Sequence, residues 1–561
     1  MKKKVKLRYD RIAIFAVFCF LAVFLFIKSI TFLFSKINPK TEKYFLASIS
    51  NKVNLYDKNK NKIKEENRGQ EVFLYVDTIK DEYSKVKYQG KNYYVKNEEL
   101  SKEYSDVVLI KDLYVRTPAI LLDGISVLNY IPKGSKVEVL GFDEIDNNGN
   151  VFNYKVKYNN QVGYVNEEYL VGSKEESLVN YDQNGNYLIH KARTSSYGGN
   201  AGDLDFYPRQ KGNFQNNKMP DKVRALYLNG EAIYEAKDYI EIAKGSQINA
   251  FVVNIKDDVL SYKSEVAKEF SLRSYNNALG SIEKYKQNIE LLKNNGYYLI
   301  GRISVFKDYT YALDNPNIAI TDKNGDLYKH NGSYWPSAYN TNVWEYNLKL
   351  ALEAIELFGF NEIQFDYVRF PDGTSSLEKD GVIDMKNNYN ISKIQAIQTF
   401  LMYATDILHQ KEVYVSADVF GESAHTYVNS YGQYWGAISN VVDVISAMPY
   451  PDHFNINQYG IEEPVWTKPY KLLYTWSKDF AMKRQSEIPT PAIMRTWIQA
   501  YNTTKTPAVE YNAEKIKEQI KGLEDGGAVG GYMTWNSVSS KSKYREIANS
   551  MWGNYENKNK W

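Results

Sequence analysis

Acidic side chains end two short apolar runs that are typical of β-strands. The run 362–366 finishes on Asp366, and the run 413–418 finishes on Asp418, with Glu422 one turn further along. In an α/β barrel the carboxyl ends of the strands carry the active site, so carboxylates there favour chemistry over core packing. Cleavage of a glycosidic bond needs two carboxyl groups, one acid and one nucleophile or base. We therefore predict Asp366, Asp418 and Glu422 as catalytic candidates for that reaction.

Other polar and aromatic side chains follow the remaining predicted strands. Aromatic faces suit sugar rings, and carboxylates, amides and cations suit sugar hydroxyls. The predicted substrate-binding residues are Asp257, Asp258, Arg369, Tyr450, Asp452, His453, Arg495, Trp497, Trp535 and Asn536. No metal ligands are assigned.

Several of these residues have structural alternatives. The Asp257-Asp258 pair is also typical of a turn or of a calcium ligand pair, and barrel-rim tryptophans also close cores. Arg495 is expected to pair with the acidic rim rather than to catalyse, as is Arg302. Glu362 is expected to face solvent or a neighbouring helix.

Strand-like runs alternate with amphipathic helical runs from about residue 220 onward. The predicted strands are 223–228, 248–255, 297–305, 362–366, 413–418, 441–448, 492–498 and 528–535. The predicted helices are 231–244, 281–294, 343–358, 391–409 and 513–524. Eight repeated βα units imply a closed parallel (β/α)8 TIM barrel, which we place over 220–553.

Near the N-terminus an apolar segment follows a basic tail. The segment runs over 12–34, and residues 1–11 carry several Lys and Arg side chains. This pattern predicts a transmembrane helix that anchors the chain in the plasma membrane as a single pass, with a cytoplasmic N-terminus and an extracellular catalytic domain. A cleavable signal peptide fits less well, because the apolar run is long and 32–35 offers no small-residue cleavage pattern.

Two repeats follow this segment. Residues 85–100 align without gaps on 155–170, and each contains two strands joined by a turn. The second unit, with 113–116, 131–140 and 163–165, resembles the bacterial SH3 domain, which implies small all-β barrels at 44–104 (degenerate) and 105–172. Such domains either bind a cell-wall polymer or act as spacers. The polar stretch 173–219 is predicted to be a linker or an irregular cap.

Composition restricts the function further. The chain has 561 residues, with Lys+Arg 70 against Asp+Glu 67, so its near-neutral field argues against a nucleic-acid partner. Its single cysteine, Cys19, lies in the apolar segment, which excludes disulfides, cysteine metal sites and a cysteine nucleophile from the rest. No cofactor is implied.

Five sequence blocks resemble a known family. They lie at 248–258, 362–371, 415–421, 447–453 and 531–535. Together they are similar to the putative glycoside hydrolase domain family related to the α-amylase superfamily. The resemblance implies a TIM barrel with Asp366 as the strand-four nucleophile and Asp418 as the strand-five acid.

The chain departs from the α-amylase pattern at two points. The pattern has an arginine two residues before the strand-four aspartate, where this chain has Gln364, with Arg369 following instead. Strand five offers Asp418 rather than a glutamate. The roles of the two carboxyl groups, and retention or inversion of configuration, therefore stay open at this point.

The combined expectation is a membrane-anchored extracytoplasmic glycoside hydrolase that acts on a cell-wall or extracellular polysaccharide by carboxylate-pair acid/base catalysis. One alternative is a non-catalytic polysaccharide- or wall-binding protein that uses the barrel rim as a binding cleft. Another is an envelope scaffold in which the barrel docks a partner.

Overall fold

The computed structural model describes residues 9–37, 40–79, 82–182 and 184–551. The chain divides into two compact units. One runs to Tyr114 and includes Ser135–Ser173, and the other comprises Val115–Gly134 and the chain from Lys174 onward.

The N-terminal apolar segment forms the helix Tyr9–Ile37, whose side chains are described from Phe15 to Ile30. Within the described residues no helix is long and apolar enough to cross a membrane. The predicted anchor over 12–34, the membrane partner and the single-pass plasma-membrane localisation are therefore wrong. The predicted basic tail lies outside the described residues over 1–8.

The first unit consists mainly of antiparallel strands. One seven-stranded sheet contains Thr41–Leu46, Lys52–Tyr56, Lys62–Asn67, Glu71–Tyr75, Tyr83–Tyr88, Lys91–Lys96 and Leu100–Ser101. Alternate apolar side chains such as Val53, Leu55 and Val86 fill its core. Further antiparallel strands are Asp112–Val115, Lys136–Phe142, Asn153–Tyr158, Gln161–Asn166 and Leu170–Val171.

Each predicted repeat forms a β-hairpin. Tyr88 pairs with Lys91 across one turn, and Tyr158 pairs with Gln161 across the other. Both turns place two residues at positive φ, which is the geometry of a type I′ turn.

The second unit contains a ring of parallel strands. In chain order they are β1 (Val223–Leu228), β2 (Ala250–Lys256), β3 (Tyr298–Ser304), β4 (Glu362–Asp366), β5 (Tyr414–Phe420), β6 (Val444–Met448), β7 (Thr496–Gln499) and β8 (Gly531–Trp535). The short strand Ile493–Met494 precedes β7 and pairs with β6, while β8 pairs with both β7 and β1. This arrangement fits a TIM barrel, so the barrel part of the predicted fold agrees with the structure.

Helices alternate with these strands. Their bounds are Ala236–Ala243, Glu265–Phe270, Leu272–Asn276, Ile282–Asn294, Tyr309–Asp314, Thr341–Phe358, Ser375–Lys379, Lys393–His409, Trp435–Val441, Pro469–Thr475, Met482–Gln485, Ala513–Asp525 and Lys541–Ile547. The helix before β4 ends at Gly359, whose φ of 67° is a left-handed conformation that glycine adopts without strain. The chain thereby turns directly into the strand that carries Asp366.

The polar stretch 173–219 packs against the barrel. It contains the helices Lys174–Leu178 and Asn186–Lys191. Further on, the Lys211 ammonium donates to the carbonyls of Ser439, Asn440 and Val442 at 2.9, 3.0 and 2.6 Å, and burial lowers the pKa of Lys211 to about 7. Its polar side chains thus satisfy backbone carbonyls at the end of a barrel helix, which explains its composition.

Candidate active site

Asp366 ends β4 and lies beside an arginine on the neighbouring strand. Arg302 on β3 stands opposite Gln364 in the parallel register, and its Nε donates to Asp366 Oδ2 at 3.0 Å. Its Nη1 donates to Asn254 Oδ1 at 2.8 Å and to Asp257 Oδ2 at 3.2 Å. Burial alone would lower the pKa of Arg302, but the two carboxylates outweigh it and hold that pKa well above its ordinary value. Arg302 thus forms buried ion pairs with Asp366 and with Asp257.

Asp418 lies on β5 in a different environment. Its Oδ1 accepts a hydrogen bond from Trp497 Nε1 at 2.8 Å, and its side chain is buried. Its Oδ2 is buried and has no hydrogen-bond partner among the described residues. Burial raises the pKa of Asp418 well above its ordinary value, and the nearby charge of Asp366 raises it further. Both effects favour the protonated form of Asp418 over the carboxylate.

The two carboxyl groups line the same cavity, which has a volume of about 150 Å³. Its lining residues are Arg302, Asp366, Tyr367, Arg369, Asp418, Phe420, Met448, Tyr450, His453, Trp497 and Trp535. The buried hydroxyl of Tyr450 has no hydrogen-bond partner in the part of the chain that the structure describes. The cavity therefore brings two carboxyl groups together with a hydroxyl that makes no hydrogen bond within the described residues.

The backbone next to Asp366 is strained. Tyr367 has a φ of 50°, in the left-handed region that residues with a Cβ rarely adopt. Its N–H donates to Asp366 Oδ1 at 2.6 Å. Strained backbone of this kind is concentrated at functional sites, where surrounding contacts maintain it. Here it directs a second donor at the carboxylate.

Two tryptophans on adjacent strands have different surroundings. Trp497 is buried and its indole N–H is committed to Asp418. Trp535 is partly exposed, packs against Tyr227 with ring centroids 4.7 Å apart, and has the Arg302 guanidinium 5.4 Å from its ring. Trp535 therefore lines the cavity as a partly exposed ring, whereas the Trp497 indole is bound to Asp418.

His453 lies at the cavity wall. Its ring centroid is 5.1 Å from that of Tyr450, and its Nε2 is 3.7 Å from Asp452 Oδ1. Burial lowers the pKa of His453, Lys505 lowers it further, and Asp452 opposes both. The ring is therefore neutral near pH 7 and can donate or accept a hydrogen bond.

Six predicted site residues do not line the cavity. Asp257 binds Arg302 and Arg495 binds Glu362, and the other four have separate contacts. The Glu422 carboxylate accepts a hydrogen bond from the Tyr431 hydroxyl. The Asp258 side chain is 44% exposed and pairs with Lys307, and Asp452 accepts from the Tyr501 hydroxyl at 2.9 Å. Asn536 donates to the carbonyl of Ala500 at 2.8 Å and accepts from the N–H of Ser540 at 3.0 Å. These four residues therefore contact neighbouring protein groups in the turns and loops around the cavity.

Arg495 lies at the other end of the strands. Its Nη1 donates to both oxygens of Glu362 at 2.8 and 2.9 Å, and both side chains are fully buried. Glu362 begins β4, and because alternate residues share one face, it points into the barrel as Gln364 and Asp366 do. The expectations that Arg495 faces the rim and that Glu362 faces solvent are therefore corrected.

The sequence profile of the family described as "Putative glycosyl hydrolase domain" matches residues 225–541. The chain belongs to this family. The prediction of a glycoside hydrolase is thereby confirmed, whereas the relation to the α-amylase superfamily stays a prediction. None of the curated proteins matches the chain.

Several solved structures resemble parts of the hydrolase. A hypothetical protein from Ruminiclostridium thermocellum is 31% identical over 35% of this chain and 97% of its own, with a TM-score of 0.29. The glycoside hydrolase domain of PgaB (BpsB) from Bordetella bronchiseptica is 12% identical over 59% of this chain and 99% of its own, with a TM-score of 0.41. The chitobiase of Flavobacterium johnsoniae is 10% identical over 59% of this chain and 48% of its own, with a TM-score of 0.40.

The cavity of this hydrolase domain contains groups that the sequence patterns did not identify as its lining. Tyr367, Phe420 and Met448 line it, and Arg302 binds the carboxylate directly. Arg302 had been expected to pair with the acidic rim, and it does so with Asp366. Among the described residues no group of three or more His, Cys, Asp and Glu side chains is arranged to hold a metal ion.

Proposed function

We propose that this glycoside hydrolase cleaves a polysaccharide with Asp366 as nucleophile or base and Asp418 as general acid. The observation that carries the proposal is the contrast between the two carboxyl groups of one cavity. Asp366 is bound by Arg302, whereas Asp418 has its pKa raised by burial and by Asp366. Acid-assisted cleavage of an acetal requires a carboxyl group that keeps its proton beside a second carboxyl group that acts as nucleophile or base.

The proton balance of the proposed reaction is simple. Asp418 gives its proton to the glycosidic oxygen as the bond to the anomeric carbon breaks, and it is left as a carboxylate. Asp366 either removes a proton from the attacking water or attacks the anomeric carbon itself. In the second case the Asp418 carboxylate takes a proton from a water molecule that then cleaves the sugar–Asp366 ester, which restores both carboxyl groups. Oδ2 of Asp418, which has no hydrogen-bond partner in the described chain, is the oxygen best suited to carry the transferred proton.

Other residues of the cavity are proposed to hold the sugar. The partly exposed ring of Trp535 offers a stacking face, and the Tyr450 hydroxyl offers a hydrogen-bonding group. Tyr450 lacks a partner among the described residues, so a sugar hydroxyl would satisfy a buried polar group whose isolation is costly. Glu422 is left out of the mechanism, because its carboxylate contacts Tyr431 and does not line the cavity.

We extend the proposal to the N-terminal strands, which we infer to be SH3-type modules over 44–104 and 105–172. Support comes from the repeated hairpins and from the "L-x-V-R" run at 113–116. Binding of a cell-wall polymer by these modules stays a prediction, and a spacer role explains the same strands. No binding residue is assigned in them.

The test uses the full chain with a panel of wall and capsular glycans. New reducing ends are measured for the wild type, Asp366→Asn, Asp418→Asn and a control, Asp380→Asn, whose side chain is exposed and does not line the cavity. We expect release by the wild type and the control, and losses of at least about a hundredfold in the other two. Full release by either folded cavity variant would contradict the proposal. Binding without release would instead favour a binding-only cleft.

A further inference from the structure

The cavity contains two guanidinium groups, and only one is used by the proposed catalysis. Arg302 is surrounded by Asp366 and Asp257, so its charge is balanced within the protein. Arg369 is the second cation of the cavity. Its ion pair is with Asp372, three residues further along the chain, and not with a carboxyl group that lines the cavity.

Arg369 is held rigidly by aromatic rings. The carbon atom of its guanidinium lies 4.4 Å from the Phe420 ring centroid, 5.1 Å from that of Trp335 and 5.3 Å from that of Tyr367. Phe420 follows Asp418 by two residues on β5, so both side chains lie on the same face of the strand. The guanidinium of Arg369 therefore lies beside Phe420, the next residue after Asp418 on the same face of β5.

The hydrogen-bonding capacity of Arg369 is only partly used. Its Nη1 donates to the carbonyl of Phe370 at 3.1 Å and to Asp372 Oδ1 at 2.9 Å. No acceptor within the described ranges engages its Nε or Nη2. Asp372 does not line the cavity, and its side chain is 45% exposed, so water weakens its attraction for the guanidinium.

We propose that the cavity accepts a sugar residue that carries a carboxylate, and that Arg369 binds this carboxylate through Nε and Nη2. This inference rests on the proposed function, because it assigns the substrate class of the same site. An N–H pair on a planar guanidinium matches the two oxygens of a carboxylate, which a single sugar hydroxyl does not. Because Nη1 is engaged by Phe370 and Asp372, Nε and Nη2 are the donors left for an anion.

The size of the cavity limits how much of the substrate it encloses. Its volume of about 150 Å³ is below the about 300–1,000 Å³ of pockets that hold drug-sized ligands. It therefore suits one sugar ring with its acid group rather than several rings. The proposed substrate is a glycan in which the residue bound beside Asp366 and Asp418 is a uronic acid.

Binding of monosaccharides tests this proposal without requiring turnover. The full-length wild type is titrated with glucuronate, with its neutral methyl ester and with glucose, and dissociation constants are measured by ligand-observed NMR. We expect glucuronate to bind about tenfold to a hundredfold more tightly than either neutral sugar, as charge-assisted hydrogen bonds allow. Equal binding of the three sugars by the wild type would overturn the proposal.

Variants locate the source of this preference. Arg369→Met keeps an apolar stem beside the rings and should bind the three sugars equally, whereas Arg369→Lys should keep a reduced preference. The control Arg273→Met removes a half-exposed arginine that does not line the cavity and should bind as the wild type does. A preference that survives in folded Arg369→Met would also overturn the proposal.

A further variant tests the uronate preference separately from the proposed hydrolysis. Asp366→Asn should lose release of reducing ends and keep the preference for glucuronate, since Arg369 is unchanged. Hydrolysis of neutral glycans with no uronate preference would refute the substrate class alone. A uronate preference in a wild type that cleaves no glycan would refute the hydrolysis alone.

Discussion

The indole N–H of Trp497 tunes the acidity of Asp418, and its removal gives a measurable shift. Trp497 Nε1 donates to Asp418 Oδ1 at 2.8 Å, and this hydrogen bond lowers the pKa of Asp418 against the larger effects of burial and of Asp366. The variant Trp497→Phe keeps an aromatic ring and removes the donor. The pKa of Asp418 should therefore rise above its value in the wild type.

The size of the shift follows from the strength of the lost hydrogen bond. Such a bond contributes about 1.5–3 kcal/mol when the acceptor is charged and about 0.5–1.5 kcal/mol when it is neutral. The ionised form of Asp418 therefore loses about 1 kcal/mol more than the protonated form. Since 1.36 kcal/mol corresponds to one pKa unit, the pKa should rise by about 0.7–1.

The pH dependence of kcat/KM measures this shift. A general acid works while it is protonated, so activity is lost as the pH rises through the pKa of Asp418. In Trp497→Phe the basic limb should move upward by about one pH unit. The control Trp466→Phe removes an indole hydrogen bond to the Pro507 carbonyl and should leave the limb in place. A basic limb that stays or moves downward in folded Trp497→Phe would refute the assignment of Asp418.

Three other substitutions have distinct expected outcomes. Arg302→Met should reduce the free energy of unfolding, measured by urea denaturation, by about 3–5 kcal/mol, because it leaves the Asp366 carboxylate unpaired. Unchanged stability and activity would contradict the pairing. Glu422→Gln should keep kcat/KM within about tenfold of the wild type, whereas Asp418→Asn should lose about a hundredfold or more. A larger loss in Glu422→Gln than in Asp418→Asn would make Glu422 the acid. Arg495→Met should lower the free energy of unfolding by about 3–5 kcal/mol, and adding Glu362→Leu should recover part of it; no recovery would mean that the two charges are not coupled.

The sequence predicted the barrel well because its strands are buried on both sides. Such strands are short apolar runs, and these are visible without tertiary information. The predicted strand 362–366 has the same bounds as β4, and the predicted run 413–418 lies within one residue of the start of β5. Asp366 and Asp418 could therefore be placed before the structure was known.

Contacts between strands could be predicted only in outline: Arg302 was expected to pair with the acidic rim, but its partner was not specified. Arg302 binds Asp366 because β3 and β4 pair in a register that no local pattern encodes. Arg495 lies in the break between Ile493–Met494 and β7, and its partner Glu362 is on a strand that does not neighbour it. The side chains of 173–219 likewise bind barrel carbonyls that are distant in sequence. These features depend on tertiary packing rather than on periodicity.

The most direct test of the roles proposed for Asp366 and Asp418 is the protonation state of Asp418. Infrared difference spectroscopy between the wild type and Asp418→Asn at neutral pH separates a protonated carboxyl group from a carboxylate by the C=O stretch. The account predicts a protonated carboxyl band that disappears in Asp418→Asn and persists in the control Asp380→Asn. A spectrum in which the wild type lacks that band and loses a carboxylate band instead would contradict the assignment of Asp418 as the acid.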